Sequence, residues 1–297
     1  MKVAYCLVGI VGATDFGMGL GADIDYRIAH YWNKKNIFDL DQDVDVFMHS
    51  WSTQHEEGLK ETYSPKGAIF EDQIDFGLST LRDNCIASRW YSTAICNQLR
   101  TDYEEKNNIR YDVVMFFRFD HVFLVPLDFN KYDLNKIWVR HSNPHGWVDG
   151  VRKDDNPKDT LNNGCDCKSN LNRIYDSFIF SKPENINIYS DIYNYLTDVN
   201  SKINSPHEEI PNQLRRNNLL QNLDFTFHGE IETEAVRALY KNPEYLKGEF
   251  DISKFKEFEE TYVRQNPEVI KRFKLGKNQM DSFSNTNSGF NRNMRIQ

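Results

Sequence analysis

The apolar run Val113 to Phe117 ends abruptly on Arg118-Phe119-Asp120, so two opposite charges follow directly on a segment that reads as buried. Charges placed there are costly to desolvate unless something pairs with them. A divalent cation or a diphosphate would serve. So would the two side chains themselves, because residues two apart on a strand point the same way; spacing alone leaves these readings level. A second group is the early loop, with Gly9, Val11, Gly12 and Asp15 followed by Gly17, Gly19 and Gly21. Its glycines allow a nucleotide to approach the backbone closely. The spacing is G-x-G-x-G, however, and the dinucleotide fingerprint G-x-G-x-x-G is missing. His49 and Trp51 close a second apolar run and would face the same edge as Asp120, near a base or ribose. Alternatively, Trp51 is core and His49 bonds a backbone carbonyl. Cys165 and Cys167 form a lone C-D-C with no further ligands at zinc spacing, and the sequence carries no P-loop, G-x-S-x-G or H-E-x-x-H.

The elements that must hold these residues follow from periodicity. Residues 3 to 10, VAYCLVGI, read as a buried first strand, and DVDVFMHS (43 to 50) as a second. A helix is expected from about Ile24 to Trp32, and an amphipathic helix from about 88 to 106 with Ser88 as N-cap. Residues 53 to 85 are polar and mixed and receive no assignment. YDVVMFFRFDHVFLV is the most strand-like segment and reads as a central strand covered on both faces. Strand, glycine-rich turn, helix, strand, helix and central strand make a βαβ pattern, which implies a parallel sheet. KIWVRH and YDSFIFS add strands, with a long polar loop from 142 to 172 between them. Pro183 opens a helix running through Ile192 and Tyr195, and Pro206-His207-Glu208-Glu209 opens another with acids in its first turn. From 230 to 276 the pattern is charged and helical, and 277 to 297 reads as a tail rich in Asn and Ser.

The 297 residues suffice for one large α/β domain with a small helical appendage. With 39% hydrophobic and 27% charged residues, a packed core is expected and wholesale disorder is not. Net charge is −8 and there is no long basic run, which argues against a nucleic acid polymer as partner. A single nucleotide diphosphate stays compatible, since a metal ion neutralises it locally. No apolar stretch approaches the roughly 20 residues of a membrane span, and no signal peptide is recognisable. Cys6 and Cys96 sit in apolar patterns as reduced thiols, so a cytoplasmic location is expected.

The order DVDVFMHSW, SRWYSTAICNQLRTDYEEKNNIRYDVVMFFRFD, IYDSFIFS and a Pro-His-Glu-Glu helix resembles a family of GT-A type glycosyltransferases of microbes and viruses. The resemblance spans about residues 1 to 225 and is carried mainly by DVFMHSW and YDVVMFFRFD. It implies a GT-A-like, Rossmann-like α/β fold over 1 to 229. It also implies a nucleoside diphosphate sugar as donor and a glycan hydroxyl as acceptor. Such enzymes place Asp-x-Asp at the end of a central strand to hold a divalent cation, Mn²⁺ or Mg²⁺, against the diphosphate. Here the first carboxylate is replaced by Arg118, leaving Asp120 as metal ligand and Arg118 for phosphate charge or for Asp120 itself. A late histidine often completes the metal site, and His228 in FTFHGE matches it. An acid at a helix start often acts as base, which points to Glu208 or Glu209, with Asp176 as competitor. The donor site would take Gly9, Val11, Asp15, His49, Trp51, Arg118 and Asp120. Two rivals stand beside this reading: a non-catalytic nucleotide- or glycan-binding module with a degenerate metal motif, and a Rossmann-type enzyme with another nucleotide cofactor.

Overall fold

The computed structural model describes residues 1–12, 24–123, 126–140, 147–148, 151–152, 174–198, 206–226 and 233–235. In chain order the first elements are β1 (Lys2–Gly9), α1 (Tyr26–Asn33), β2 (Asp43–Ser50), α2 (Glu56–Tyr63), β3 (Gly67–Phe70) and α3 (Leu81–Asn107). The strands β4 (Val113–Arg118), β5 (His121–Phe123), β6 (Ile137–Arg140), β7 (Trp147–Val148), β8 (Val151–Arg152) and β9 (Tyr175–Ser181) follow. Last come α4 (Pro183–Ser190), α5 (Ile192–Asp198), α6 (Pro206–Arg216), β10 (Leu223–Thr226) and β11 (Thr233–Ala235). Two compact units result, Met1–Ser142 with Pro157–Lys247, and Asn143–Asn156 with Gly248–Gln297. In the second, the described residues are the antiparallel pair β7 and β8.

The first unit is an α/β fold around a seven-stranded sheet in the order β10-β6-β9-β4-β1-β2-β3, flanked by helices. β1 pairs in parallel with both β2 and β4, and β3 and β10 also join in parallel. β9 runs antiparallel between β4 and β6. Burial on both faces explains why β1 and β4 are nearly continuous runs of apolar residues. α3 covers one face, where Trp90, Phe116 and Tyr189 interlock in the main core. Each large side chain buried there contributes about 1.5–3 kcal/mol by removal from water. Among the described residues no helix is long and apolar enough to cross a membrane.

Several boundaries differ from the sequence reading for local reasons. α3 begins at Leu81, because the Thr80 hydroxyl caps it by accepting from the Asp83 N–H at 3.0 Å; Ser88 lies inside the helix, buried. Residues 53 to 85, unassigned from sequence, hold α2 and the edge strand β3. The helix after Pro183 breaks at Asp191 into α4 and α5. In the stretch expected to be helical from 230, Thr233–Ala235 is a strand antiparallel to β5; the rest of it, the tail from 277 and the C-D-C lie outside the described residues. Cys6 and Cys96 are buried free thiols, as expected.

The strand order reverses between β1 and β4, since β2 and β3 lie on one side of β1 and β4 on the other. In such sheets the crevice outside the carboxyl ends at the reversal is where ligands bind. Two glycines turn the chain there. Gly9 and Gly12 have φ of +99° and +106°, which other residues rarely adopt. A Cβ on Gly12 would stand 2.5 Å from the Asp120 Cβ, whereas one on Gly9 meets nothing within 4 Å. Gly9→Ala is therefore expected to lose about 1–2 kcal/mol from backbone strain alone. Gly12→Ala should lose at least about 1 kcal/mol more from the clash, as urea unfolding of the two variants will measure.

Candidate functional site

The reversal edge is built from the turn after β1, the chain after β2 and the end of β4. The Val11 N–H donates to the Ser52 hydroxyl at 3.0 Å, and the Trp51 N–H donates to the Gly9 carbonyl at 3.2 Å. These bonds tie the turn to the end of β2, while Gly12 lies directly against Asp120. Gly9, Val11 and Asp120, three of the residues expected to bind the donor, thus belong to one edge. Asp15 lies outside the described residues.

Arg118 and Asp120 pair with each other. The guanidinium holds both carboxylate oxygens, Nε to Oδ1 at 2.7 Å and an Nη to Oδ2 at 2.6 Å. Paired donors and acceptors of this fork geometry are the strong kind of ion pair. The Asp120 side chain is buried and that of Arg118 about one-third exposed. His121, also buried, brings Nε2 to 3.9 Å from the Asp120 carboxylate.

Asp176 joins this edge through an irregularity in β9. Val139 pairs with Ile179 but Arg140 pairs with Tyr175, so Asp176, Ser177 and Phe178 have no partner on β6. A bulge of this kind re-aims side chains, and Asp176 comes to lie 3.9 Å from Arg89 Nε and 3.5 Å from His207 Nδ1. Burial works to raise its pKa, but the charges of His207, Arg89, Arg118 and His121 outweigh burial and hold the carboxyl below its ordinary value. Asp176 is thus an ionised, buried carboxylate. Arg89 is itself fixed by Thr93 Oγ1 at 2.6 Å and by the Tyr189 hydroxyl at 3.4 Å.

His207, Glu208 and Glu209 begin α6. Pro211 has no N–H, so the His207 carbonyl, four residues earlier, lacks its helical donor. That carbonyl accepts from the Ile174 N–H at 2.8 Å instead. The His207 Nδ1 lies 3.1 Å from the Ile174 carbonyl, so the two residues are doubly linked. Glu209 is buried, about 200° round the helix from His207, and Glu208 is half-buried between these directions.

His49 and Trp51 make contacts of another kind. His49 is fully buried, with Nε2 at 2.8 Å from Glu71 and Nδ1 at 2.9 Å from the Ser92 hydroxyl. A carboxylate only accepts, so Nε2 donates to Glu71 and Nδ1 accepts from Ser92. Trp51 stacks on Tyr91 with ring centroids 5.5 Å apart, and Phe76 and Tyr193 pack on the same tyrosine. Their contacts run to α3 and to the chain after β3, as in the core alternative, although His49 bonds side chains and not a carbonyl.

Sequence reasoning passed over Arg89, His121 and His207. Arg89 did leave a trace, for it stands three residues after Ile86 and four before Thr93, both buried. A charge on that stripe needs a partner. His228 lies outside the described residues, and among the described residues no group of three His, Cys, Asp or Glu side chains could hold a metal ion. Asp120, with both oxygens on Arg118, does not by itself fit a divalent cation. A scan against models of known protein families finds no match to this chain, and no curated protein matches it either.

Burial lowers the His49 pKa against the opposing pull of Glu71. The folded state therefore binds fewer protons than the unfolded chain once pH falls below about 6.5, the ordinary imidazole value. Stability linked to His49 is complete above that pH and is lost as pH falls through the lowered folded value. His49→Gln should reduce the slope of unfolding free energy between pH 7 and 5 by up to about 1.4 kcal/mol per pH unit. His30, which burial also lowers, supplies a remaining slope of the same sign. Urea unfolding across that pH range will measure the difference.

Proposed function

We propose that the chain is a glycosyltransferase of the GT-A type. It would move a sugar from a nucleoside diphosphate sugar to a hydroxyl of a glycan acceptor. The observation that carries this reading is the gathering of Arg118, Asp120, Asp176, Arg89, His121 and His207 where the carboxyl end of β4 meets the amino end of antiparallel β9, beside the glycine turn of β1. A diphosphate needs cations and close backbone approach, and the edge at a strand-order reversal offers both. Gly9 and Val11 would take the donor, with Arg118 on its phosphates. The acceptor hydroxyl would lie near Asp176 and the start of α6, where Glu208, Glu209 and His207 stand as candidates to receive its proton. For the divalent cation that the resemblance implies, the described residues supply Asp120 alone, so charge neutralisation rests on Arg118 and its neighbours.

A second reading is favoured by one observation. Both Asp120 oxygens are held by Arg118, so the two charges of the motif pair with each other. A module that binds a nucleotide or glycan without turnover needs nothing more.

A thermal-shift screen with UDP- and GDP-sugars separates these readings from failure, because a ligand selective for the folded state raises the melting temperature. One donor class is expected to stabilise the chain and to be turned over. Arg118→Ala should bind that donor about 10- to 100-fold more weakly, the loss expected for a hydrogen bond to a charged group, and added Mn²⁺ should not restore it. Unchanged affinity with lowered stability would make the Arg118–Asp120 pair purely structural.

A further inference from the structure

We propose that His207 is the general base of the transfer and that Asp176 is its positioning residue, an assignment that rests on the glycosyltransferase reading above. Two features of the chain build this pair. Pro211 removes the helical donor for the His207 carbonyl, which is taken up by the Ile174 N–H at 2.8 Å. The first turn of α6 is thereby fastened to the residue that precedes β9. The bulge at Asp176, Ser177 and Phe178 then turns the Asp176 carboxylate towards the same ring.

The tautomer follows from the acceptors. His207 Nδ1 faces the Ile174 carbonyl at 3.1 Å and the Asp176 carboxylate at 3.5 Å. Neither group can donate, so Nδ1 carries a hydrogen, and in the neutral ring that acts as base Nε2 keeps the lone pair. About one-third of the side chain is exposed, which the fully buried His49 lacks. Asp176, buried and ionised, then stabilises the imidazolium that forms when Nε2 takes a proton. The charge of Asp176 is felt by Arg118 and His121 as well as by Arg89, so the base stands in the same electrostatic group as the proposed phosphate site. Glu209 is less suited, being buried about 200° round the helix from His207.

In the step itself the acceptor oxygen bonds to the anomeric carbon while its proton passes to Nε2. The bond from that carbon to the diphosphate oxygen breaks, and its electron pair leaves with the nucleoside diphosphate. The imidazolium then returns its proton to solvent.

The test uses the full chain with UDP-glucose, UDP-galactose, UDP-N-acetylglucosamine and GDP-mannose, water serving as acceptor, and reads nucleoside diphosphate release and donor affinity. His207→Ala is expected to lower turnover about 100-fold or more, the ordinary worth of a positioned base. Its donor affinity should hold within about 2-fold, because the base acts on the acceptor. Free imidazole should restore part of the rate in His207→Ala and none in Asp176→Asn, which retains its own ring. An imidazole ¹H–¹⁵N correlation spectrum of the wild-type chain should show His207 in the Nδ1–H form; the Nε2–H form overturns the assignment without any donor. Full turnover in His207→Ala overturns the base while leaving the transferase reading standing. A wild-type chain that binds a donor but releases nothing, or binds none of the four, overturns the transferase reading and the role of His207 with it.

Discussion

Two carboxylates, Asp120 and Asp176, lie buried at the carboxyl edge of the sheet, and a buried charge without a partner is among the most destabilising features a fold can carry. Much of the local architecture answers that constraint. Arg118 covers both oxygens of Asp120, and Arg89 and His207 approach Asp176 from α3 and α6. Gly12 has no side chain, which lets the turn after β1 lie against Asp120. The charges are therefore distributed among the central strand, the antiparallel strand and two helices, and none of these elements can shift without exposing or orphaning one of them.

The same arrangement gives the edge its chemical character. Asp176 stays ionised despite burial because its cationic neighbours outweigh desolvation. The edge thus holds fixed charges of both signs in a partly water-excluded setting, the condition under which oriented charges act most strongly on a reacting group. His49, by contrast, is enclosed between Glu71 and Ser92. Two histidines of one chain thus differ in burial and in what faces each ring nitrogen.

Pro211 shows how a residue unfavourable to its own helix can serve the tertiary structure. A helix loses a hydrogen bond at an interior proline, yet the carbonyl so released docks α6 onto the chain entering β9. The proline in the helix and the bulge in the strand act on the same few ångströms of structure. Each is a local irregularity. Together they bring His207 and Asp176 within reach.

By itself the sequence determined the buried strands, because residues covered on both faces must be apolar, and Val113 to Phe117 announces the central strand unaided. It likewise marked Arg118 and Asp120, since charge directly after such a run demands a partner. Spacing left level which partner that would be; the fold brings the guanidinium onto the carboxylate. The start of α3 was misplaced by sequence because Thr80 lies ahead of the apolar stripe by which the helix was recognised. The antiparallel course of β9, the bulge that turns Asp176, and the meeting of Arg89 with His207 around it depend on contacts between residues far apart in the chain. Periodicity reports only the neighbours along one element, so which elements share an edge belonged to the tertiary structure alone.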